Sequence, residues 1–159
     1  MSALRTILQV SSILVFGSLA GLSPVQAQSY GSDITIEQAK KVGAGAVAEC
    51  QSNKLKSAIA VVDTHGSLVY FERIDDTQIV SVKVAVDKAI AAAIYRRPTR
   101  AFADAIAKGG LAVMALPGVV AFAGGVPIVS DGKIIGAVGV SGGTADQDEQ
   151  CAKAGLAAM

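Results

Sequence analysis

The sequence has no tryptophan, one histidine and two cysteines among 159 residues, and aromatic side chains make up only 4% of it. With one histidine and no Cys-x-x-Cys spacing, the sequence shows no zinc-site pattern, and no recognisable serine–histidine or cysteine–histidine constellation supports ordinary hydrolysis. The formal net charge is +1. So balanced a chain gives no reason to expect nucleic acid or an anionic membrane as a partner.

The N-terminal segment 1–27 has the pattern of an export signal. Arg5 supplies a positive end, residues 7–22 are largely apolar, and Pro24 breaks the segment ahead of small residues at 25–27. Cleavage after Ala27 removes one of 14 basic residues and leaves 13 against 13 acidic ones. We therefore predict a periplasmic or secreted protein with no membrane partner once the signal is removed, an uncleaved anchor being the alternative.

Residues 28–159 are long enough for one domain with a core and too short for two. After a lead-in at 30–32, a Thr-x-x-Gln capping box at Thr35 predicts a first helix ending near Asn53. A second box, at Thr144, predicts a last helix from about Ala145. Two further helices are predicted over about residues 77–95 and, with Thr99 as N-cap, from there to Gly109-Gly110.

Two β-hairpins are indicated by turn residues between apolar runs. Asp131-Gly132 suits a type I′ turn, which needs positive φ at both central positions. A turn over 63–66 joins strands at about 57–63 and 68–73 and places His65, the single histidine, at an exposed tip. The apolar stretch from Leu111, broken by Pro117 and Gly118, predicts a loop and then a short strand over 119–123.

The strand after Asp131-Gly132 is apolar on both faces and contains Gly136 and Gly139. Glycine weakens a strand unless something needs the space, so these residues indicate the close approach of a helix, a second subunit or a flat ligand. Helix packing is the simplest of the three. A sheet that is apolar on both faces also has more surface to bury than a few helices cover, which predicts a homo-oligomer.

Lys88 lies among alanine and valine on the predicted helix over 77–95. Its side chain either snorkels to solvent, paired with Asp87 or Glu72, or supplies a cation in a pocket for a carboxylate. Arg96, Arg97 and Arg100 follow around the end of that helix. They complement the helix C-terminus or hold the carboxylates of a ligand.

Several of these segments together resemble the GlcG/HbpS-like family, which is described as haem-binding or haem-degrading. The segments cover nearly all of residues 28–159. They are Val61-Val62-Asp63-x-x-Gly66 with the Arg73 that follows, Lys88-Ala89, Pro98-Thr99, Gly124-Gly125-Val126-Pro127-Ile128, and residues 135–143 with Gln147-Asp148-Glu149. The resemblance implies an α+β, profilin-like domain, with a five-stranded antiparallel sheet, helices packed on it and an oligomeric state from dimer to octamer.

The resemblance also implies haem as a cofactor and, in exported members, a role in redox or haem stress. Haem or another planar carboxylate-bearing ligand would lie on the glycine-lined sheet, and its iron would meet Tyr70, Tyr95, a methionine, a threonine hydroxyl or His65 across an oligomer. The alternative is an enzyme for a small organic acid, with Lys88 as electrophile or base and Asp148 or Glu72 as its acid–base partner. The candidate ligand-binding residues are Arg73, Lys88, Arg96, Arg97, Arg100, Gly124, Gly125 and Asp148.

Cys50 and Cys151 are expected to form a disulfide, because each lies on the apolar face of a capped helix and both helices must cover the same sheet. The closed loop spans almost the whole domain, so the chain-entropy model gives about 4–5 kcal/mol of stabilisation. We predict that periplasmically expressed protein gains no alkyl groups before reduction and two afterwards, as read by mass spectrometry. Two groups added without reductant would show two free thiols instead.

Overall fold

The computed structural model describes residues 28–159, and the predicted export signal lies outside them. These residues form four α-helices and four strands, with the strands in two consecutive pairs, and none of the helices among them is long and apolar enough to cross a membrane. The elements, in order, are α1 (Ile36–Ser52), β1 (Ala58–Val62), β2 (Leu68–Arg73), α2 (Ile79–Tyr95), α3 (Arg100–Ala107), a 3₁₀ helix (Leu111–Ala115), β3 (Gly125–Ser130), β4 (Lys133–Ser141) and α4 (Ala145–Ala157).

The sheet is antiparallel, in the order β2-β1-β4-β3. The α+β class is confirmed, but the described sheet has four strands and not the predicted five. Residues 119–123 form no strand, because the Phe122 carbonyl accepts the Thr99 hydroxyl at 2.7 Å and Gly124 turns the backbone at φ +120°. Both central residues of the Asp131-Gly132 turn have positive φ, as the hairpin prediction requires.

The two faces of the sheet are covered by different helices. On one face α1 and α4 pack on the larger side chains, among them Ile59, Val61, Val138 and Val140. On the other face α2 packs on small ones, chiefly the alanines of β1 and β4. Side chains alternate across a strand, so β1 supplies both cores.

Gly125 of β3 and Gly139 of β4 make room for α2, whereas a Cβ on Gly136 would lie 2.3 Å from the Val62 carbonyl oxygen of β1. A Cβ on Gly139 would lie 2.0 Å from the Ala85 carbonyl oxygen, and one on Gly125 would lie 2.3 Å from the Lys88 carbonyl oxygen. Neither distance is possible for a real side chain. Of the three explanations for the glycines, helix packing is the one that the structure shows at these two positions.

The first residues of the domain are held against the sheet rather than forming a free lead-in. Tyr30 forms a parallel bridge with Ile134, and the Ile134 amide donates to the Ser29 carbonyl at 3.0 Å. The Tyr30 hydroxyl donates to the Ala93 carbonyl at the end of α2, at 2.8 Å. The chain start thus joins the beginning of β4 to the end of α2.

Cys50 and Cys151 are joined in a disulfide, with a Cα–Cα distance of 5.5 Å. Both predicted capping boxes are present, at Thr35 and Thr144, so both helices begin where the sequence indicates. The end of α1 therefore meets the middle of α4 on one face of the sheet. The bond links positions 101 residues apart.

Residues 100–123 leave the sheet after α2 and return to it at β3, and we call this segment the arm. Phe102 is the one buried residue of α3, and the 3₁₀ helix has none. Thr99 precedes α3 as predicted, but its side chain does not cap the helix. Its hydroxyl instead contacts Phe122 and Gly125, which joins the two ends of the arm.

Candidate functional site

The predicted residues Lys88 and Asp148 form a buried ion pair. Lys88 Nζ lies 2.7 Å from Asp148 Oδ2 and donates to the Val140 carbonyl at 2.9 Å, and the two residues are 2% and 3% exposed. The snorkelling interpretation is therefore wrong, and so are its proposed partners. Asp87 pairs with Lys83, and Glu72 accepts the Tyr70 hydroxyl.

The second oxygen of Asp148 is also engaged. Oδ1 accepts the Gly143 amide at 2.8 Å, and the carboxylate lies in the first turn of α4, where the helix dipole favours negative charge. A Cβ on Gly124 would lie 2.8 Å from Lys88 Nζ and 2.9 Å from Asp148 Cβ. Gly124 thus closes the pair from the side of β3.

Arg100 is likewise paired with protein carboxylates. Its Nε donates to Glu149 at 2.6 Å, and its Nη2 donates to Asp146. These hydrogen bonds, that to Asp146 first, raise the pKa of the Arg100 guanidinium. The sequence shows acidic residues at the start of α4, but it does not identify Arg100 as the cation that pairs with them.

Arg96 and Arg97 form no salt bridge within residues 28–159. The Arg96 guanidinium carbon lies 5.5 Å from the centroid of the Tyr30 ring, and that of Arg97 lies 6.0 Å from the Phe102 ring. Each donates one hydrogen bond to a backbone carbonyl, of Gln28 and Tyr95 respectively. Both cations retain donors for an external anion.

Tyr95 connects the two arginines to the arm. Its ring packs edge-on against Phe102 with centroids 5.2 Å apart, and its hydroxyl donates to the Pro117 carbonyl at 2.6 Å. The end of α2 and the arm therefore form one continuous surface. A cleft of about 230 Å³ lies beside it, lined by Ile90, by residues 118–120 and by the Lys83–Asp87 pair.

The arm presents large apolar side chains to solvent. Leu111 and Met114 are 62% and 67% exposed, Phe122 is 67% exposed, and Leu116 is also exposed. We call these four residues the arm surface. The sequence shows that the stretch is apolar, but an apolar run normally predicts burial, so their exposure could not be foreseen.

Arg73 lies away from the other predicted site residues, at the end of the edge strand β2. It also has no salt-bridge partner within 28–159. It lines a cleft of about 490 Å³ whose other side chains are mostly polar or charged. Sites for small organic ligands are mostly apolar, and the lining of this cleft is not.

Comparison with known proteins shows the family to which this chain belongs. A model of the family described as haem degrading protein HbpS-like matches residues 34–157. The chain belongs to that family, which confirms the resemblance seen in the sequence.

Protein GlcG of Escherichia coli is 39% identical over 105 residues, which cover 66% of this chain and 78% of that protein. A crystal structure of a PduOC–haem complex superimposes with a TM-score of 0.73 at 29% identity, covering 80% of this chain and 95% of that one. A double mutant of HbpS from Streptomyces reticuli gives a TM-score of 0.73 at 30% identity, with coverages of 86% and 97%. The chain is thus similar to one protein whose structure contains haem.

The burial of Lys88 generates a stability prediction. Lys88→Met should lower the free energy of unfolding by about 3–5 kcal/mol, because Asp148 is left as an unpaired buried charge. Lys88→Met combined with Asp148→Asn should recover much of that loss, since the amide oxygen of the new side chain can still accept the Gly143 amide and carries no charge. Urea unfolding of both variants and of Asp148→Asn alone measures the coupling. Additive losses would show that the two residues do not interact.

Proposed function

We propose that this protein binds haem or a similar planar, carboxylate-bearing ligand on the arm surface beside Arg96 and Arg97. Two observations support it. The chain belongs to a family described by haem degradation, and it is similar in structure to a protein solved with haem. The geometry adds a surface of the required chemistry, with exposed apolar side chains for the ring and guanidinium groups for its carboxylates.

One observation supports this location for the ligand: the predicted cationic residues fall into two sets, one paired with protein carboxylates and one not. Lys88 and Arg100 are neutralised by carboxylates of α4 at 2.7 and 2.6 Å. Arg96 and Arg97 are held on aromatic rings, and no carboxylate of the described residues pairs with them. An arginine stacked on a ring is preorganised for a bidentate contact, because its side chain has lost rotamer freedom already.

The pairing of Lys88 with a buried carboxylate also argues against an enzyme that uses Lys88. An electrophile or base must reach its substrate, and Lys88 Nζ is enclosed by Asp148, the Val140 carbonyl and Gly124. Glu72, the other proposed partner, lies on the edge strand β2 with Tyr70. A binding role is therefore the better account of this structure.

We further propose that the protein acts in the periplasm or outside the cell, in a redox or haem-stress response. The export pattern of segment 1–27 and the Cys50–Cys151 disulfide support this location, since oxidising compartments are where such bonds persist.

Hemin titration of the purified protein, followed by Soret absorbance, tests the proposal. Replacing Arg96 and Arg97 together by alanine should weaken hemin binding by about 1.5–3 kcal/mol, the usual value of a hydrogen bond to a charged group. Arg73→Ala is the matched control, because it removes a cation from the opposite edge of the sheet, and it should leave the affinity unchanged. Equal losses in the two variants would contradict the location, and no binding by the unaltered protein would contradict the function.

We also propose that the protein forms a homo-oligomer. Ile79 is 90% exposed on α2, and Val80 and Ile94 of the same helix are exposed as well, so α2 has apolar side chains away from the sheet it covers. Light scattering at micromolar concentration should give a mass of at least two chains. Ile79→Lys should shift the distribution toward the monomer without unfolding the protein, and a monomeric unaltered protein would refute the proposal.

A further inference from the structure

The turn between β1 and β2 brings the single histidine together with two carboxylates. Asp33, Asp63 and His65 each offer one possible metal-ligand atom, and these three atoms lie within 4.8 Å of one another. Asp63 and His65 belong to the turn, whereas Asp33 precedes α1. Asp33 reaches the turn because the Ile34 amide donates to the Ile135 carbonyl of β4 at 2.8 Å. The sequence could not show this cluster, since its members meet only in the folded chain.

Hydrogen bonds hold both carboxylates in place and leave one oxygen of each available. Asp33 Oδ1 accepts the Thr64 amide at 3.1 Å and also the Thr64 hydroxyl. Asp63 Oδ1 accepts the amides of His65 and Ser67 at 2.9 and 2.8 Å. Within residues 28–159, neither Oδ2 atom has a hydrogen-bond partner. Outer-shell hydrogen bonds of this kind orient the ligating carboxylates of metal sites.

The spacing and the charges of the cluster suit a small cation. No lysine or arginine of the described residues forms a salt bridge with Asp33 or Asp63. His65 Nδ1 lies 3.7 Å from Asp33 Oδ1, which is too long for a hydrogen bond. Two ligand atoms of a tetrahedral zinc ion lie about 3.3–3.6 Å apart, given metal–ligand distances of about 2.0–2.2 Å. A small movement of the exposed His65 ring therefore brings the two atoms to that separation.

We propose that Asp33, Asp63 and His65 form a binding site for a divalent transition-metal ion of the zinc type. An imidazole nitrogen suits zinc, copper, iron and nickel, whereas magnesium and calcium prefer oxygen ligands. His65 thus distinguishes this cluster from a purely acidic one, which attracts divalent cations without such a preference. Three protein ligands leave a further coordination position to water. The inference is independent of the haem proposal, because none of the three residues belongs to the arm surface.

Titration calorimetry of the purified protein, prepared without a histidine tag, tests the site with Zn²⁺, Mg²⁺ and Ca²⁺. Zn²⁺ should bind with one ion per chain and more tightly than the other two ions. His65→Ala should weaken Zn²⁺ binding by at least about tenfold, since even the loss of an outer-shell partner costs that much. It should leave Mg²⁺ binding unchanged. Asp33→Asn and Asp63→Asn should also weaken Zn²⁺ binding, while their amide oxygens still accept the hydrogen bonds that hold the turn.

NMR of the histidine ring gives a second readout. The chain has one histidine, so its ring resonances belong to His65 without ambiguity. They should shift when Zn²⁺ is added and stay in place when Mg²⁺ is added. Unshifted ring resonances in the presence of bound Zn²⁺ would overturn the inference.

Asp131→Asn is the matched control. Asp131 lines a neighbouring cleft together with Asp33 but is not a member of the cluster, and asparagine tolerates its positive φ. This variant should keep the Zn²⁺ affinity within about twofold, as a surface change away from the site does. A loss as large as that in Asp33→Asn would place the ion in the cleft and overturn the site. The absence of saturable Zn²⁺ binding, or equal affinities for Zn²⁺ and Mg²⁺, would overturn it as well, and the hemin titration is unaffected by either result.

Discussion

The rest of the structure depends on the buried contact between Lys88 and Asp148. These residues belong to helices on opposite faces of the sheet, and their side chains meet at the end of β4, 2.7 Å apart. Two buried charges are tolerated only where their mutual attraction and further hydrogen bonds compensate for the loss of hydration. Here Val140 and Gly143 supply the further hydrogen bonds that make this possible. The contact fixes where α4 begins relative to α2, and it forces the neighbouring backbone at Gly124 to carry no side chain.

That constraint separates the framework of the domain from the proposed binding surface. Within residues 28–159, Lys88 and Arg100 fix α2, α3 and α4 through ion pairs, so neither of these two cations is free to contact a ligand. The arm is different, because its apolar side chains remain exposed although Thr99, Tyr95 and Arg100 hold it to the rest of the domain. Substitutions in the arm are therefore expected to alter the proposed ligand binding without disturbing the core.

Local signals in the sequence were sufficient for the helix starts and the hairpin turns. A capping box depends on two residues three positions apart, and an Asp-Gly turn depends on two adjacent residues. The helix starts at Thr35 and Thr144 and the turn at Asp131 were therefore predicted correctly. The structural partners predicted for Lys88, Asp87 and Glu72, were wrong, and Asp148 was named only as its acid–base partner in an enzyme, because Asp148 is 60 residues away and reaches Lys88 only once the sheet has formed. The strand predicted over 119–123 does not form, for a related reason. Its composition is apolar, but the hydroxyl of a residue distant in sequence donates a hydrogen bond to a carbonyl of this segment. Composition likewise could not show that the arm leaves its apolar residues uncovered.

Amide chemical-shift mapping by NMR during titration with protoporphyrin IX tests this account most directly. The Gly143 amide donates to Asp148 and therefore reports on the buried pair, whereas the amides of 111–123 report on the arm. We predict that the arm amides and those of Arg96 and Arg97 shift while Gly143 and Gly124 do not. Large shifts at Gly143 and Gly124 with a silent arm would show that the ligand opens the Lys88–Asp148 pair, and would contradict the division between framework and binding surface.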